Sequence, residues 1–141
     1  MCKSMLVSLS PGAAAPQRGS PGAAGYDLCA LQGGVVPARG QLLVSTGVSL
    51  ALPAGRMGEI RSRSGLAVRE GVVAFAGVID EDFRGEVKVL LLNNSDLDFA
   101  FDTGARIAQL VIVCVEHPEV VMTDRLPETV RGVGAFGSTG M

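Results

Sequence analysis

The clearest pattern along this chain is an alternation of period two. From Gln41 to Leu52 the even positions Leu42, Val44, Val48, Leu50 and Leu52 are apolar, broken only by Thr46, while Gln41, Ser45, Gly47 and Ser49 fill odd positions. Such alternation predicts a strand with one buried face. Residues 87–92 and 107–115 are apolar on both faces, which predicts strands covered on both sides by a second sheet or a neighbouring subunit. Met5 to Leu9 reads as an edge strand, followed by an extended Pro/Gly/Ala loop to residue 20. Leu66 to Glu70 is the only helix-like piece, about one turn long. Residues 126–141 hold too little apolar surface to pack by themselves. The pattern as a whole predicts an all-β sandwich with a mobile C-terminal tail.

Composition agrees and narrows the picture. At 141 residues the chain is one domain, divided into an N-terminal strand and loop (1–20), a β domain (21–125) and a Gly-rich arm (126–141). Hydrophobic residues make up 48% but aromatics only 4%, so Val, Leu, Ile and Ala must build the core. The 19 Gly and 7 Pro suit short strands and tight turns. A net charge of −2, with no basic cluster beyond Arg61, Arg63 and Arg69, argues against a general nucleic-acid or membrane binder but allows a local anion site. Cys2, Cys29 and Cys114 are odd in number and lack metal-ligand spacing, which predicts reduced thiols in an intracellular protein, cytoplasmic or nuclear. No signal peptide and no apolar run of membrane-spanning length is visible.

Several segments carry chemistry. The densest is Gly77-Val78-Ile79-Asp80-Glu81-Asp82-Phe83-Arg84-Gly85, acids and an aromatic at a hairpin tip. It is either an acidic solvated turn or a carboxylate held beside an aromatic wall and open backbone, able to grip a planar polar ring and activate a water. Asp27, in Ala23-Ala24-Gly25-Tyr26-Asp27-Leu28, is either an exposed turn carboxylate or one available to a metal's water shell. Arg61, Arg63, Ser64 and Gly65 precede the helical turn, as a solvated basic turn or a phosphate site. Arg106 and Gln109 interrupt an apolar strand, which calls for a structural ion pair, an interface contact or a ligand. In the tail, Gly132, Gly134 and Gly137 follow no strand and open no helix, so they are not a dinucleotide fingerprint. Disorder is one reading of that tail; folding over a ligand, with Arg131 and Phe136, is the other. His117 beside Pro118 reads as surface. With no His/Cys zinc pattern, any metal is a hard cation held mainly by phosphate and water with carboxylate support, which describes Mg²⁺.

Taken in order, five segments resemble the motifs of the trimeric dUTP pyrophosphatase (dUTPase) family. They are Ala24-Gly25-Tyr26-Asp27-Leu28, Arg63-Ser64-Gly65-Leu66-Ala67, the Gly77–Gly85 hairpin, Arg106-Ile107-Ala108-Gln109-Leu110, and Arg131-Gly132-Val133-Gly134-Ala135-Phe136-Gly137-Ser138-Thr139-Gly140. The resemblance runs from about residue 20 to the C-terminus. It implies a jelly-roll subunit in a three-fold homotrimer whose active sites are each shared by three chains. It further implies Mg²⁺-dependent hydrolysis of dUTP to dUMP and pyrophosphate, limiting uracil in DNA and supplying dUMP for thymidylate synthesis.

The resemblance also assigns roles. Asp80 is the base that activates the attacking water, with Gln109 a second catalytic residue supplied by a neighbouring chain. Gly77, Val78, Ile79, Phe83 and the arm near Lys88 hold uracil and deoxyribose. Arg63, Ser64 and Gly65 hold the phosphates, Arg106 is a further substrate-binding residue, Arg131 reaches the γ end, and Asp27 meets Mg²⁺ through water. Arg131, Phe136, Gly137 and Ser138 belong to the closing tail, with Phe136 stacked on uracil. Four positions depart from the family's usual residues: Phe83 for Tyr, Ser62 for Pro, Ala135 for Gly, and Phe75 where a small residue is usual. A dCTP deaminase shares this fold, but its usual Arg-Ser-Ser motif is absent. A non-catalytic trimer is opposed by the intact Asp80, Gln109 and tail.

Overall fold

The computed structural model describes residues 4–137. Its elements are β1 (Leu6–Leu9), β2 (Gly25–Cys29), β3 (Gly34–Val36), β4 (Gln41–Ala51), β5 (Arg56–Arg61), α1 (Ser64–Glu70), β6 (Val72–Phe75), β7 (Val78–Ile79), β8 (Glu86–Asn93), β9 (Phe99–Phe101) and β10 (Arg106–Cys114). Two four-stranded antiparallel sheets, ordered β1-β4-β8-β6 and β2-β10-β5-β7, form the sandwich, with β3-β9 as a small third sheet. Sequence neighbours repeatedly fall in different sheets, giving a jelly-roll subunit. The helix begins two residues earlier than the sequence pattern suggests, because Ser64 and Gly65 have no apolar side chain to mark the turn. No helix among the described residues is long and apolar enough to cross a membrane.

The core is aliphatic, as the composition requires. Leu28, Val87, Val89, Leu91, Ile107 and Leu110 are fully buried, and Phe101 is the aromatic among the buried residues described. Burying side chains of this size contributes about 1.5–3 kcal/mol each. On β8, Val87, Val89 and Leu91 point inward, while Leu90 and Leu92 stay only half-buried on the other face. Val111 and Val113 on β10 are half-buried in the same way. One chain therefore covers one face of these strands and leaves the second apolar face only partly covered.

Two irregularities shape the site. On β4 the pairing with β8 jumps between Ser45 and Val48, where Thr46 and Gly47 are inserted. A two-residue insertion preserves parity, so even positions face the core on both sides of it. Gly47 takes φ +69°, and Thr46 is buried with its hydroxyl donating to the Val87 carbonyl at 2.5 Å. The second irregularity is Ala76, at φ 51°. There the chain leaves β6 in one sheet and joins β5 in the other as β7. A β-carbon at Gly77 would fall on the Ile60 carbonyl, so only glycine passes this crossing without displacement.

Candidate active site

A polar cleft lies on the outer face of the β2-β10-β5 sheet. Leu28, Ala108 and Leu110 turn into the core, so by alternation Asp27 and Gln109, which are register partners, turn outward. Arg106 joins them through a bulge between Arg106 and Ala108. In a regular strand two residues three apart, as 106 and 109 are, point to opposite faces; the bulge brings them to the same one. The cleft is about 310 Å³ and includes Gly25, Asp27, Arg63, Ser64, Gly65, Arg69, Arg106 and Gln109 in its lining.

Asp27 is the electrostatic centre of the cleft. Its oxygens lie 3.5 Å from Arg63 Nε and 3.6 Å from Arg106 Nη1. Both pairs are long, and the carboxylate keeps 21% exposure, so it is oriented by the arginines without being enclosed by them. Arg63 also donates from Nη1 to the Arg106 carbonyl at 3.1 Å. Gln109 Nε2 donates to the Ser62 carbonyl at 3.0 Å, leaving one N–H and Oε1 of that amide for the cleft. Cys29 lies beside this group, and burial, then the negative charge of Asp27, pushes its thiol above the ordinary value.

The helix start contributes backbone. Arg63 is the N-cap in extended conformation and offers no side-chain cap to the first amides. Arg69 folds back over Gly65, where a β-carbon would stand 2.9 Å from its Nη2. Arg69 was not assigned to the site from the sequence. Its i, i+4 spacing from Gly65 on a helix is the signal that places it there.

The hairpin forms a separate half-site. β6 pairs with β8 only as far as Phe75 opposite Leu90, and β7 then pairs with β5, which leaves residues 86–89 without a strand on that edge among the described residues. The Val87 carbonyl turns toward β4 to accept from Thr46, so alternation turns the Lys88 N–H and C=O into the gap. On the other arm the Gly77 carbonyl accepts from Ile60 N–H at 2.7 Å. The same alternation turns Gly77 and Ile79 toward β5 and Val78 into the gap. Val78 and Lys88 are thus the residues whose backbone groups face this gap, while Gly77 faces β5. Ile79 is buried and its side chain belongs to the core.

Asp80 opens the turn, exposed, with Phe83 N–H donating to its carbonyl at 3.2 Å. The Phe83 ring lies over Gly85, where a β-carbon would come within 2.6 Å of it. Glu81 anchors the tip by accepting from Gly55 N–H at 2.6 Å, and Arg84 donates to the carbonyls of Glu81 and Phe83 at 2.7 and 2.9 Å. Glu81 and Asp80, adjacent in sequence, thus differ: one shapes the turn and the other stays open.

The tail lies apart from both. Among the described residues, every hydrogen bond of segment 116–137 stays within that segment, including Arg131 Nε to the Gly134 carbonyl at 2.9 Å. Phe136, at φ 45°, is fully exposed, and Gly137 follows at φ 91°. Ser138 lies outside the described residues.

The two half-sites of one chain are far apart. Gln109 pairs with Arg61 of β5, whereas Ile79, just before Asp80, pairs with Gly58. Two strand spacings across and about four residues along place Asp80 roughly 16 Å from Gln109. One small ligand cannot have its reacting atom beside both within a single chain.

The polar cleft, the carboxylate-bearing backbone slot and the Gly-rich tail are all carried by a protein of the all-β, jelly-roll class. The dUTPase family profile matches residues 12–140, and the chain belongs to the dUTPase family. It is 49% identical over 142 aligned positions to deoxyuridine 5'-triphosphate nucleotidohydrolase of Kluyveromyces lactis, covering 99% of this chain and 96% of that protein. Among solved structures it resembles the Staphylococcus bacteriophage 80alpha dUTPase bound to dUPNHPP, with TM-score 0.93, 26% identity and coverage of 98% and 99%. It shares its fold with a mutant dUTPase of phage phi11 of S. aureus, described with a structural Mg(II) ion, at TM-score 0.82 and 24% identity, covering 87% of this chain and 98% of that one.

Proposed function

We propose that the chain hydrolyses dUTP to dUMP and pyrophosphate, as a homotrimer with shared sites. The observation that carries this reading is the separation of Asp80 from Gln109 by roughly 16 Å, set beside the half-covered outer faces of β8 and β10. A second chain laid against those faces supplies Asp27, Arg63, Ser64 and Gln109 to the first chain's hairpin. The arm of residues 126–141, which makes no hydrogen bond to its own β domain among the described residues, closes from a third. The enzyme then works inside the cell, in cytoplasm or nucleus.

Uracil is selected by backbone. In the slot Val78 and Lys88 offer a donor to O4 and an acceptor to N3–H. Cytosine inverts both, leaving buried groups unpaired at a cost of about 1–3 kcal/mol each. Phe83 lies against C2′ and leaves no room for a ribose hydroxyl. Asp80 takes the proton of the water that attacks the α-phosphorus, a contribution of about 10²–10⁴-fold. Arg63, Ser64, Gly65 and Arg106 hold the phosphates, Gln109 orients the reacting group, and Arg131 meets the γ end. Phe136 stacks on the base, while Gly137 and Ser138 bring amides to the phosphates.

A hard cation held chiefly by phosphate and water asks the protein for only one or two carboxylate oxygens. Asp27, a carboxylate kept partly exposed in the lining of the cleft, meets that demand, so the donor set fits Mg²⁺. Asp27 would hold it, through the ion's water shell, and the bound ion would supply charge neutralisation at the triphosphate.

Pyrophosphate release from dUTP in the presence of Mg²⁺ tests this reading. Release from dUTP but not dCTP is expected, and light scattering is expected to give a trimer. Absence of release, or ammonia liberated from dCTP, overturns it.

A further inference from the structure

Ser62 occupies the junction between β5 and α1 and touches two separate parts of the chain. Its carbonyl accepts from Gln109 Nε2 at 3.0 Å. Its hydroxyl accepts from Ala74 N–H at 2.9 Å and donates to the Ala74 carbonyl at 3.4 Å. Ala74 belongs to β6, the outermost strand of the other sheet, paired on one side with Leu91 of β8. The Ser62 hydroxyl thus takes the place that a further strand would fill on this edge.

We propose that Ser62 is a positioning residue for the phosphate cleft, pinning the β5–α1 junction to β6 so that its carbonyl fixes the Gln109 amide. A glutamine side chain has three rotatable bonds, and one N–H held by a fixed carbonyl selects a single orientation of the amide plane. The remaining N–H and Oε1 are then presented in one direction. The pin holds only if the carbonyl is itself fixed, and the paired contact with Ala74 does this from a different sheet. Ala74 also leads directly into the arm of Val78 and Asp80, anchored again where Ile60 N–H meets the Gly77 carbonyl. One hydroxyl thus sets the cleft relative to the hairpin arm. The role assigned to Ser62 rests on the assignment of Gln109 to dUTP hydrolysis.

The test compares wild type with Ser62→Ala, Ser62→Thr, Gln109→Ala and the double variant Ser62→Ala/Gln109→Ala, in steady-state dUTP turnover well below each melting temperature. Ser62→Ala is expected to lower kcat roughly tenfold with KM little changed, a loss from misplacement rather than from binding. Ser62→Thr keeps the hydroxyl and restores most of the rate. The double variant is expected to be no slower than Gln109→Ala, because the two act as one unit. A Ser62→Ala kcat within twofold of wild type, or losses that multiply in the double variant, overturns the proposal. A wild type that does not turn over dUTP removes the hydrolase reading instead. The hold on Gln109 is then read by NMR: faster hydrogen exchange at the Gln109 side-chain amide in Ser62→Ala sustains it, and unchanged exchange overturns it.

Discussion

Gln109 occupies the space that a side chain at Gly25 would need: a β-carbon there would stand 2.5 Å from Gln109 Oε1 and 3.0 Å from its Cβ. Glycine at 25 is therefore a condition for the orientation of Gln109. Gly25→Ala is expected to swing the amide away from the Ser62 carbonyl and lower dUTP turnover by about 10²-fold, as misplacement of an aligned group does. Turnover close to wild type, measured alongside a crystal structure of the variant, would contradict this.

The Asp80 carboxylate is exposed and, among the described residues, has no side-chain hydrogen bond or ion pair, while Glu81 and Arg84 hold the turn. Asp80→Asn preserves shape and removes the proton acceptor. Turnover is expected to fall by about 10²–10⁴-fold with dUTP affinity retained. Calorimetric titration with a non-hydrolysable dUTP analogue, beside the kinetic assay, separates the two quantities.

Deleting residues 131–141 removes the arm without breaking any hydrogen bond to the β domain among the described residues. Thermal unfolding and the trimer are expected to persist while catalysis is lost. An active truncated enzyme would show that the arm is not a lid.

Thr46→Val is a test of the fold rather than the chemistry. The hydroxyl donates to the Val87 carbonyl and accepts from Val48 N–H at 3.2 Å, in a fully buried position. An isosteric apolar replacement leaves both backbone groups unpaired, and a loss of about 1–3 kcal/mol is expected from urea unfolding midpoints.

Cys29 supplies a pH dependence. Its thiol is pushed up in the folded protein by burial and by Asp27, so the native state holds the proton more tightly than the unfolded chain. The resulting stability is fully present below the unfolded value, about 8.5, and declines as pH rises through the folded value. Urea midpoints of wild type are expected to fall more steeply than those of Cys29→Ser above that pH. Parallel curves would remove Cys29 from the account.

The alternation from Gln41 to Leu52 determined a strand and its buried face, and it survived a bulge because two inserted residues leave parity unchanged. The scarcity of aromatics determined an aliphatic core, and the order of short motifs determined the family. Each of these is local: a side chain's face and a motif's composition follow from a few neighbouring residues. What the sequence could not decide was which residues meet. Arg106 and Gln109 share a face only because of a one-residue bulge, and such a bulge has no mark in composition. Glu81 and Asp80 look alike in sequence, yet only Glu81 reaches Gly55 N–H. Val78 rather than Gly77 faces the slot because β7 pairs with β5, a partnership set by the crossing at Ala76. Ser62 reads as a departure from a motif until Ala74 and Gln109 stand on either side of it. These relations were settled by tertiary structure because they depend on strand register across long sequence separations, which local residue preference does not encode.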